Sequence, residues 1–413
     1  MVAPSACGAG HSIAHRALRK MPTLAILTNA RAADQRSMIG YGKMVLDAAR
    51  QSGHEVVEFR PASLLGRLLP ARVQGLPRKL ANNLDRFLVT PLKLAGKRAD
   101  IVHVVDPGNA VCLPLLRHRR SIVTVHDMIP YLARDGKLPG WRPTRTGRWL
   151  MNRITAQLAN VDHIVCVSHA TKRDLLSYVD IPEERVSVIH NAVFQPMEPS
   201  APEACAELRT RLGLPPKAPL ILHVGRNFYK NRETVLEVAA RMRSVRPEMR
   251  FVMVGMLTPD LEQRAERLGL GPALHVLPRV AREDMATLYS AASVLLFPSR
   301  CEGFGLPVIE AQMCGTPVVC SNGGSLPEVA GHGAIVLDPE DHEGLVEAII
   351  RILDNPEHAA ELTRKGHENA ALFRAEAWGA SHASLYARLG TCPPEAGGCV
   401  PRHERAVAGA VGD

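Results

Sequence analysis

The sequence predicts an α/β protein of two doubly wound domains facing each other across a cleft. Three observations predict it. The chain has 413 residues, more than a single hydrophobic core usually serves. Each half alternates short apolar runs with helical patterns, as parallel β–α units do. A proline-rich stretch, FQPMEPSAPE (194–203), separates the halves. In open sheets of this kind, ligands bind beyond the carboxyl ends of the strands.

Residues 1–20 lack the apolar run of a secretory signal and read as a disordered leader, with the start open between Met1 and Met21. TLAILT (23–28) is the first strand. A turn around Gly40, Tyr41 and Gly42 is expected to lead into the helix KMVLDAARQSG. Its glycines either tighten the chain or bring backbone amides close to a phosphate or an acceptor. EVVEF (55–59), DIVHVV (100–105), SIVTVH (121–126), HIVCVS (163–168) and VSVIHN (186–191) continue the first sheet. PLILHVG (219–225), RFVMVG (250–255), LHVLP (274–278), VLLFPS (294–299), TPVVCS (316–321) and AIVLD (334–338) make the second. EGLVEAIIRILDN follows as a helix. The divisions are therefore 21–197 for the first domain and 198–375 for the second. Residues 376–390 form a helix expected to pack back on the first domain, and 391–413 a disordered tail.

Hydrophobic content of 46% with 22% charged residues fits a soluble globular protein, and no stretch is long enough to span a bilayer. The nine cysteines are odd in number and scattered, several inside apolar runs. That pattern favours reduced thiols in the cytoplasm over a disulfide framework or a zinc site. The net charge of +9 is uneven: residues 1–200 hold 28 Lys+Arg against 15 Asp+Glu, so the first half carries +13 and the second −4. Arg60–Arg98 is the densest stretch, with nine basic residues, one acid (Asp85) and interspersed leucines. Such a stretch docks on anionic lipid, or packs its leucines inward and leaves its arginines wet. Nucleic acid is excluded as a partner, because aromatics are 4% and no recognition motif occurs.

Residues 298–328, PSRCEGFGLPVIEAQMCGTPVVCSNGGSLPE, carry the most chemistry. The buried-strand pattern VLLF runs into a turn, Pro307 suits a first helical turn, and Gly315 suits a helix stop. Glu302 thus lies in a loop at a strand's carboxyl end, and Glu310 near the start of the next helix. The N–H groups of Gly303, Phe304 and Gly305 would face the same space as that helix's N-terminus, which attracts anions and hydroxyl oxygens. Taken alone, two such acids are solvated surface more often than a site. HVGRNFYKNRETVLE (223–237) adds Arg226 and Lys230 at a strand-to-helix turn, where two cations suit a diphosphate or make ordinary surface ion pairs. TVHDMIP (124–130) ends a first-domain strand on His126 and Asp127.

The string PSRCEGFGLPVIEAQMCGTPVV, with its following GG and PE, closely resembles the E-x7-E signature of retaining glycosyltransferases of the GT-B fold. This is the group 1 or family 4 class that includes many bacterial mannosyl- and glucosyltransferases. The resemblance extends over about residues 21–390 and implies two Rossmann-like doubly wound domains. It implies a metal-independent transferase, with no cofactor, that moves a hexose from GDP-mannose or another nucleotide sugar. The second domain would hold the donor through Gly225, Arg226, Lys230, Arg279, Val280, Glu302, Gly303, Phe304, Gly305, Leu306 and Glu310. Arg226 and Lys230 would lie against the diphosphate, Glu310 against the ribose, and Glu302 with the Phe304 and Gly305 amides against sugar hydroxyls. Arg279 and Val280 match a loop that meets the base.

In the first domain the resemblance places His126 near the sugar and acceptor, in positioning or proton handling. Asp127 is its tautomer-fixing or acceptor-binding neighbour, and Gly40 and Gly42 belong to an acceptor-side loop. His126, Arg226, Lys230 and Glu302 form the implied catalytic set. Retention by front-face attack within an ion pair demands no enzymic nucleophile. The implied acceptor is a saccharide or a polyprenyl-diphosphate-linked saccharide, in exopolysaccharide or lipopolysaccharide synthesis at the inner face of the plasma membrane. VIHNAV departs from the family's usual Asn-Gly-Val-Asp ending at Ala192 and Phe194. A nucleotide-sugar epimerase of the same fold, or a degenerate transferase-like binding subunit, are the alternatives. The first would need its own acid–base set, and the second would predict loss of Arg226, Lys230 or a glutamate.

Overall fold

A computed structural model describes residues 22–391 apart from 30–35, 52, 62 and 63, 71 and 72, 74–76, 78–80, 82 and 83, and 194–196. The leader, Met21, the tail beyond 391 and Phe194 lie outside the described residues.

Two six-stranded sheets, each parallel throughout, carry the fold. The first comprises β1 (Leu24–Leu27), β2 (Val56–Phe59), β3 (Arg98–Val104), β4 (Arg117–Val125), β5 (His163–Cys166) and β6 (Val186–Val188), in the order β2-β1-β3-β4-β5-β6. The second comprises β7 (Leu220–Val224), β8 (Arg250–Val254), β9 (Leu274–Leu277), β10 (Val294–Phe297), β11 (Val318–Ser321) and β12 (Ala334–Leu337), in the order β12-β11-β10-β7-β8-β9. Strands such as LAIL, VLLF and VVCS are buried along their whole length, as helices covering both faces of a parallel sheet require. Winding reverses between β1 and β3 in the first sheet and between β7 and β10 in the second. Those two crevices are where open α/β sheets take ligands.

The chain crosses between the domains twice. The first crossing runs through 189–201, and the second through the turn Ala371–Phe373 into helix Ala375–Thr391. The Val193 N–H donates to the Phe373 carbonyl at 3.4 Å, so the crossings touch. Trp378, Leu385 and Tyr386 of the last helix pack with Tyr41 and Val45 of helix Arg36–Gln51 and with β1. A buried hydrogen-bond chain ties this contact together, and its direction is fixed. His382 Nδ1–H must donate to the Trp378 carbonyl, so His382 Nε2 accepts from the Tyr41 hydroxyl. Tyr41 then accepts from Thr124, Thr124 from His103 Nε2–H, and His103 Nδ1 from Tyr386. Burial lowers the pKa of both histidines, which keeps them neutral in these tautomers.

Two expectations are corrected. Gly40 and Gly42 lie inside helix Arg36–Gln51 and form no turn. Their N–H groups belong to the helical ladder, which removes them as a phosphate or acceptor cradle. Gly42 instead lets the helix approach β1, since a Cβ there would lie 3.2 Å from Thr28 Cγ2. The inward packing of the basic stretch holds for Leu94 but fails for Leu64, Leu68, Leu88 and Leu92, which are 59%, 79%, 58% and 81% exposed. Asp85, the one acid of that stretch, is spent on structure: its Oδ1 accepts from the Leu64 and Leu65 N–H groups. Among the described residues the cysteines are free, and all but Cys205 are buried. No described helix is long and apolar enough to cross a membrane.

Candidate active site between the two domains

The second sheet's switch point assembles the most distinctive geometry. After β7 the chain turns through Gly225, whose φ of +128° favours glycine, and a Cβ there would lie 2.9 Å from Lys230 Cε. The bare α-carbon lets the lysine stem fold back across the turn. Lys230 Nζ reaches Glu302 Oε1 at 2.7 Å and sits 4.4 Å from the Phe297 ring centre. Both members of this pair are buried. An ion pair so enclosed is neutral as a unit, and losing either partner leaves a costly bare charge. Arg226 stands exposed on the same turn.

Beyond β10, the loop carrying Glu302 is almost all backbone. Gly303, Phe304 and Gly305 are buried, yet their N–H groups find no acceptor among the described residues. Buried backbone donors without partners are rare, each costing about 1–3 kcal/mol until something accepts from it. Gly305, at φ +98°, then opens helix Leu306–Met313, whose first turn has no side-chain cap. Gly323 and Gly324 press the next loop against this one. A Cβ on either would lie 2.3 Å from the Ser299 or Glu302 carbonyl.

Glu310, one turn into the helix, accepts a hydrogen bond from the Tyr289 hydroxyl at 2.8 Å through Oε2. Burial raises its pKa, while Tyr289, Arg282 and Lys230 pull it back down. The sequence reading missed Tyr289 and Arg282, which sit in a segment read only for Arg279 and Val280. Those two occupy the loop after β9, Arg279 exposed and Val280 packed on the core. The structure thus brings Lys230, Glu302, Glu310 and the free amides together, with Arg226 on the same turn as Lys230.

The first sheet contributes the facing wall. His126 follows β4, and its Nε2 lies 2.8 Å from the Val105 carbonyl. A carbonyl only accepts, so Nε2 carries the proton and Nδ1 keeps the lone pair. Tyr41 and the imidazole pack edge to face, with ring centres 4.7 Å apart, and burial lowers the histidine's pKa. Asp127 Oδ1 accepts from the Ile129 N–H at 3.0 Å. Burial pushes its carboxyl up to about 6, opposed by that hydrogen bond and assisted by Glu302 and Asp106.

At the first sheet's own switch point, Asn29 after β1 donates to Asp106 after β3 at 2.6 Å and accepts from Asn109 at 2.9 Å. The sequence reading missed all three residues. The available signal was VDPGNA, a polar turn directly after an apolar strand. A separate basic depression of about 470 Å³ opens beside Arg98, Arg117, His118 and Arg119. It lies at the amino ends of β3 and β4, away from the cleft.

A family model described as glycosyl transferases group 1 matches residues 206–369, and one described as glycosyltransferase family 4 matches residues 41–194. The chain is 30% identical over 328 residues to a D-inositol 3-phosphate glycosyltransferase of Thermobispora bispora, covering 75% of this chain and 76% of the relative. It is 28% identical over 291 residues to the O-antigen chain mannosyltransferase B of Escherichia coli, covering 69% and 74%. Among solved structures, the sucrose-phosphate synthase of Thermosynechococcus elongatus superposes with a TM-score of 0.70 at 22% identity, over 89% of this chain and 98% of that one. Anabaena HepE in complex with UDP-glucose gives 0.65 at 17% identity, over 89% and 100%.

Proposed function

The chain belongs to the group 1 glycosyltransferases and has the GT-B fold, and on that premise we propose a retaining, metal-independent hexosyltransferase. Its donor is a nucleotide-diphospho-sugar, GDP-mannose favoured. Its acceptor is a saccharide or lipid-linked saccharide of cell-surface polysaccharide synthesis. In this reading residues 21–197 take the acceptor and 198–375 the donor.

The observation that carries the reading is the set of buried, unpartnered amides of Gly303–Gly305 beside the Lys230–Glu302 pair. Backbone donors at a helix N-terminus suit phosphate and hydroxyl oxygens. Lys230, already oriented by Glu302, and Arg226 neutralise charge that grows on the departing nucleoside diphosphate. Glu310, held by Tyr289, takes the ribose hydroxyls. Glu302 and the Phe304 and Gly305 amides take sugar hydroxyls, while Arg279 and Val280 border the base. His126, neutral and protonated on Nε2, receives a hydroxyl hydrogen at Nδ1 and so positions rather than donates. Asp127 is the acceptor-side carboxylate. The mannosyltransferase among the relatives favours mannose. The exposed leucines of residues 60–98, a stretch that also exposes Lys93 and Arg98, make a docking face for an anionic membrane.

The test is turnover of a panel of GDP- and UDP-sugars, with and without anionic vesicles, by wild type and by Glu310→Ala. Turnover of at least one donor, about tenfold or more weaker in the variant, is expected. Salt-sensitive vesicle binding that Leu88→Glu/Leu92→Glu removes is expected as well. A wild type that neither binds nor turns over any nucleotide sugar would sink the enzymatic reading. Binding untouched by the leucine changes would sink the docking face alone.

A further inference from the structure

The first domain reaches across the cleft to hold the donor loop. The Gly303 carbonyl lies 2.8 Å from Ser168 Oγ and 3.1 Å from Thr171 Oγ1. Each hydroxyl has one hydrogen, and the Ser168 hydroxyl has this carbonyl as its nearest acceptor. Ser168 Oγ and Thr171 Oγ1 also lie 3.0 Å apart, and the Thr171 hydroxyl is nearer the Gly303 carbonyl than the His126 carbonyl, which is at 3.5 Å. The approach requires glycine, because a Cβ on residue 303 would lie 1.9 Å from the His126 carbonyl oxygen. No described peptide is cis. In a planar trans peptide the C=O of one residue and the N–H of the next point in opposite directions. Fixing the Gly303 carbonyl on the first domain therefore aims the unpartnered Phe304 N–H away from it.

A carboxylate makes the return contact. Glu328 of the second domain accepts from the His169 N–H at 2.8 Å and the Ala170 N–H at 3.2 Å, and its Oε1 lies 2.5 Å from His190 Nε2. These amides open helix His169–Leu176. Ser168 caps the Thr171 N–H of the same turn, so the open donors of that turn are shared between its own serine and a glutamate from the other domain. His169, His190 and Glu328 also place possible metal-ligand atoms within 4.8 Å of one another. The three hydrogen bonds already made to Glu328 make the cluster a clasp.

We propose that Ser168, Thr171 and Glu328 form a trans-domain clamp of positioning residues. Closure of the domains lets the two hydroxyls set the Gly303–Phe304 peptide while the Glu328 carboxylate holds their turn, so the donor loop becomes competent only when the domains meet. The clamp rests on the donor reading given above, and it ties sugar transfer to closure.

The test compares Ser168→Ala/Thr171→Val and Glu328→Gln with wild type, with Ser168→Thr keeping the hydroxyl. Three readouts are needed: affinity for GDP and UDP by calorimetry, kcat with the preferred nucleotide sugar, and the interdomain distance distribution between one spin label on each domain. The clamp predicts kcat lower by about 10- to 100-fold in the first two variants, with nucleotide affinity within about twofold and the distances shifted toward open forms. Ser168→Thr should recover most of the rate. Unchanged rate and distances overturn the clamp, and so does an equal loss of rate and nucleotide affinity, which marks a folding role. If wild type turns over no nucleotide sugar, the donor reading falls. The distance distributions still decide the clamp, and wild-type distributions in both variants overturn it.

Discussion

At the second sheet's switch point, β7 and β10 hand on to Lys230 and Glu302, an ion pair, and to a run of backbone amides without acceptors. At the first sheet's switch point, β1 and β3 hand on to Asn29 and Asp106, joined by Asn109 in a hydrogen-bonded group. The same winding thus produces two different kinds of site. The second sheet's half keeps donors that no described group satisfies, whereas the first sheet's half has largely satisfied itself. Ligand binding repays more where donors are orphaned. On the proposed function, the second half is expected to be the tight and specific partner, and the first to gain affinity from what the closed cleft adds.

The largest effect that bears on this contrast comes from Lys230→Met. It strands Glu302 as a buried bare carboxylate, and we expect kcat to fall about 10²–10³-fold and stability by about 3 kcal/mol. Adding Glu302→Gln should return the stability but not the rate, measured by denaturant unfolding beside a turnover assay. A double variant as active as wild type would break the contrast.

Asp127→Asn comes next. Its carboxyl rises from an ordinary 3.8 to about 6 in the folded protein, so the stability it contributes is full below about 4 and is lost as pH climbs through about 6. The variant should therefore be about 2 kcal/mol more stable than wild type at pH 8 and equal to it at pH 3.5. Any inflection near pH 6 in kcat/KM should vanish with it. A variant less stable at pH 8 would show that the ionised carboxylate is welcome there.

Tyr289→Phe is the mildest change. It removes the hydroxyl that holds Glu310 Oε2, and a rise in donor KM of about three- to tenfold with kcat within twofold is expected. Steady-state kinetics check it, and an unchanged KM would separate Glu310 from nucleotide binding.

The second sheet's half of the candidate site was legible because its parts are consecutive. Glu302, Gly303, Phe304, Gly305 and Glu310 fall within nine residues of one string, with the apolar run before it and Pro307 after it announcing strand, loop and helix. The first sheet's half is assembled from single polar residues at strand ends. Asn29 and Asp106 stand 77 residues apart, and only the sheet order makes them neighbours. Gly40 and Gly42 misled for a related reason. Two glycines in three residues suggest a turn, but Tyr41, Val45 and Ala49 on the buried face of Arg36–Gln51 hold the helix through them. Glu328 was read as the end of a motif, and nothing local to it announces that its partners are amides of the opposite domain.

The last helix turns back to pack on the first domain, and this has a mechanical consequence. Two polypeptide links, at 189–201 and 371–375, join the same two bodies, and Val193 hydrogen-bonds Phe373 between them. Bodies joined at two neighbouring points keep one easy rotation, about the line through the points, while twist about any other axis strains one link. Any opening of the cleft is therefore expected about that one line, like a door on a pair of pins. The first domain is also discontinuous in sequence: an excised 22–193 fragment would lack Trp378, Leu385 and Tyr386 and leave the apolar face of Arg36–Gln51 bare. A stable isolated first domain has to carry residues 375–391 with it.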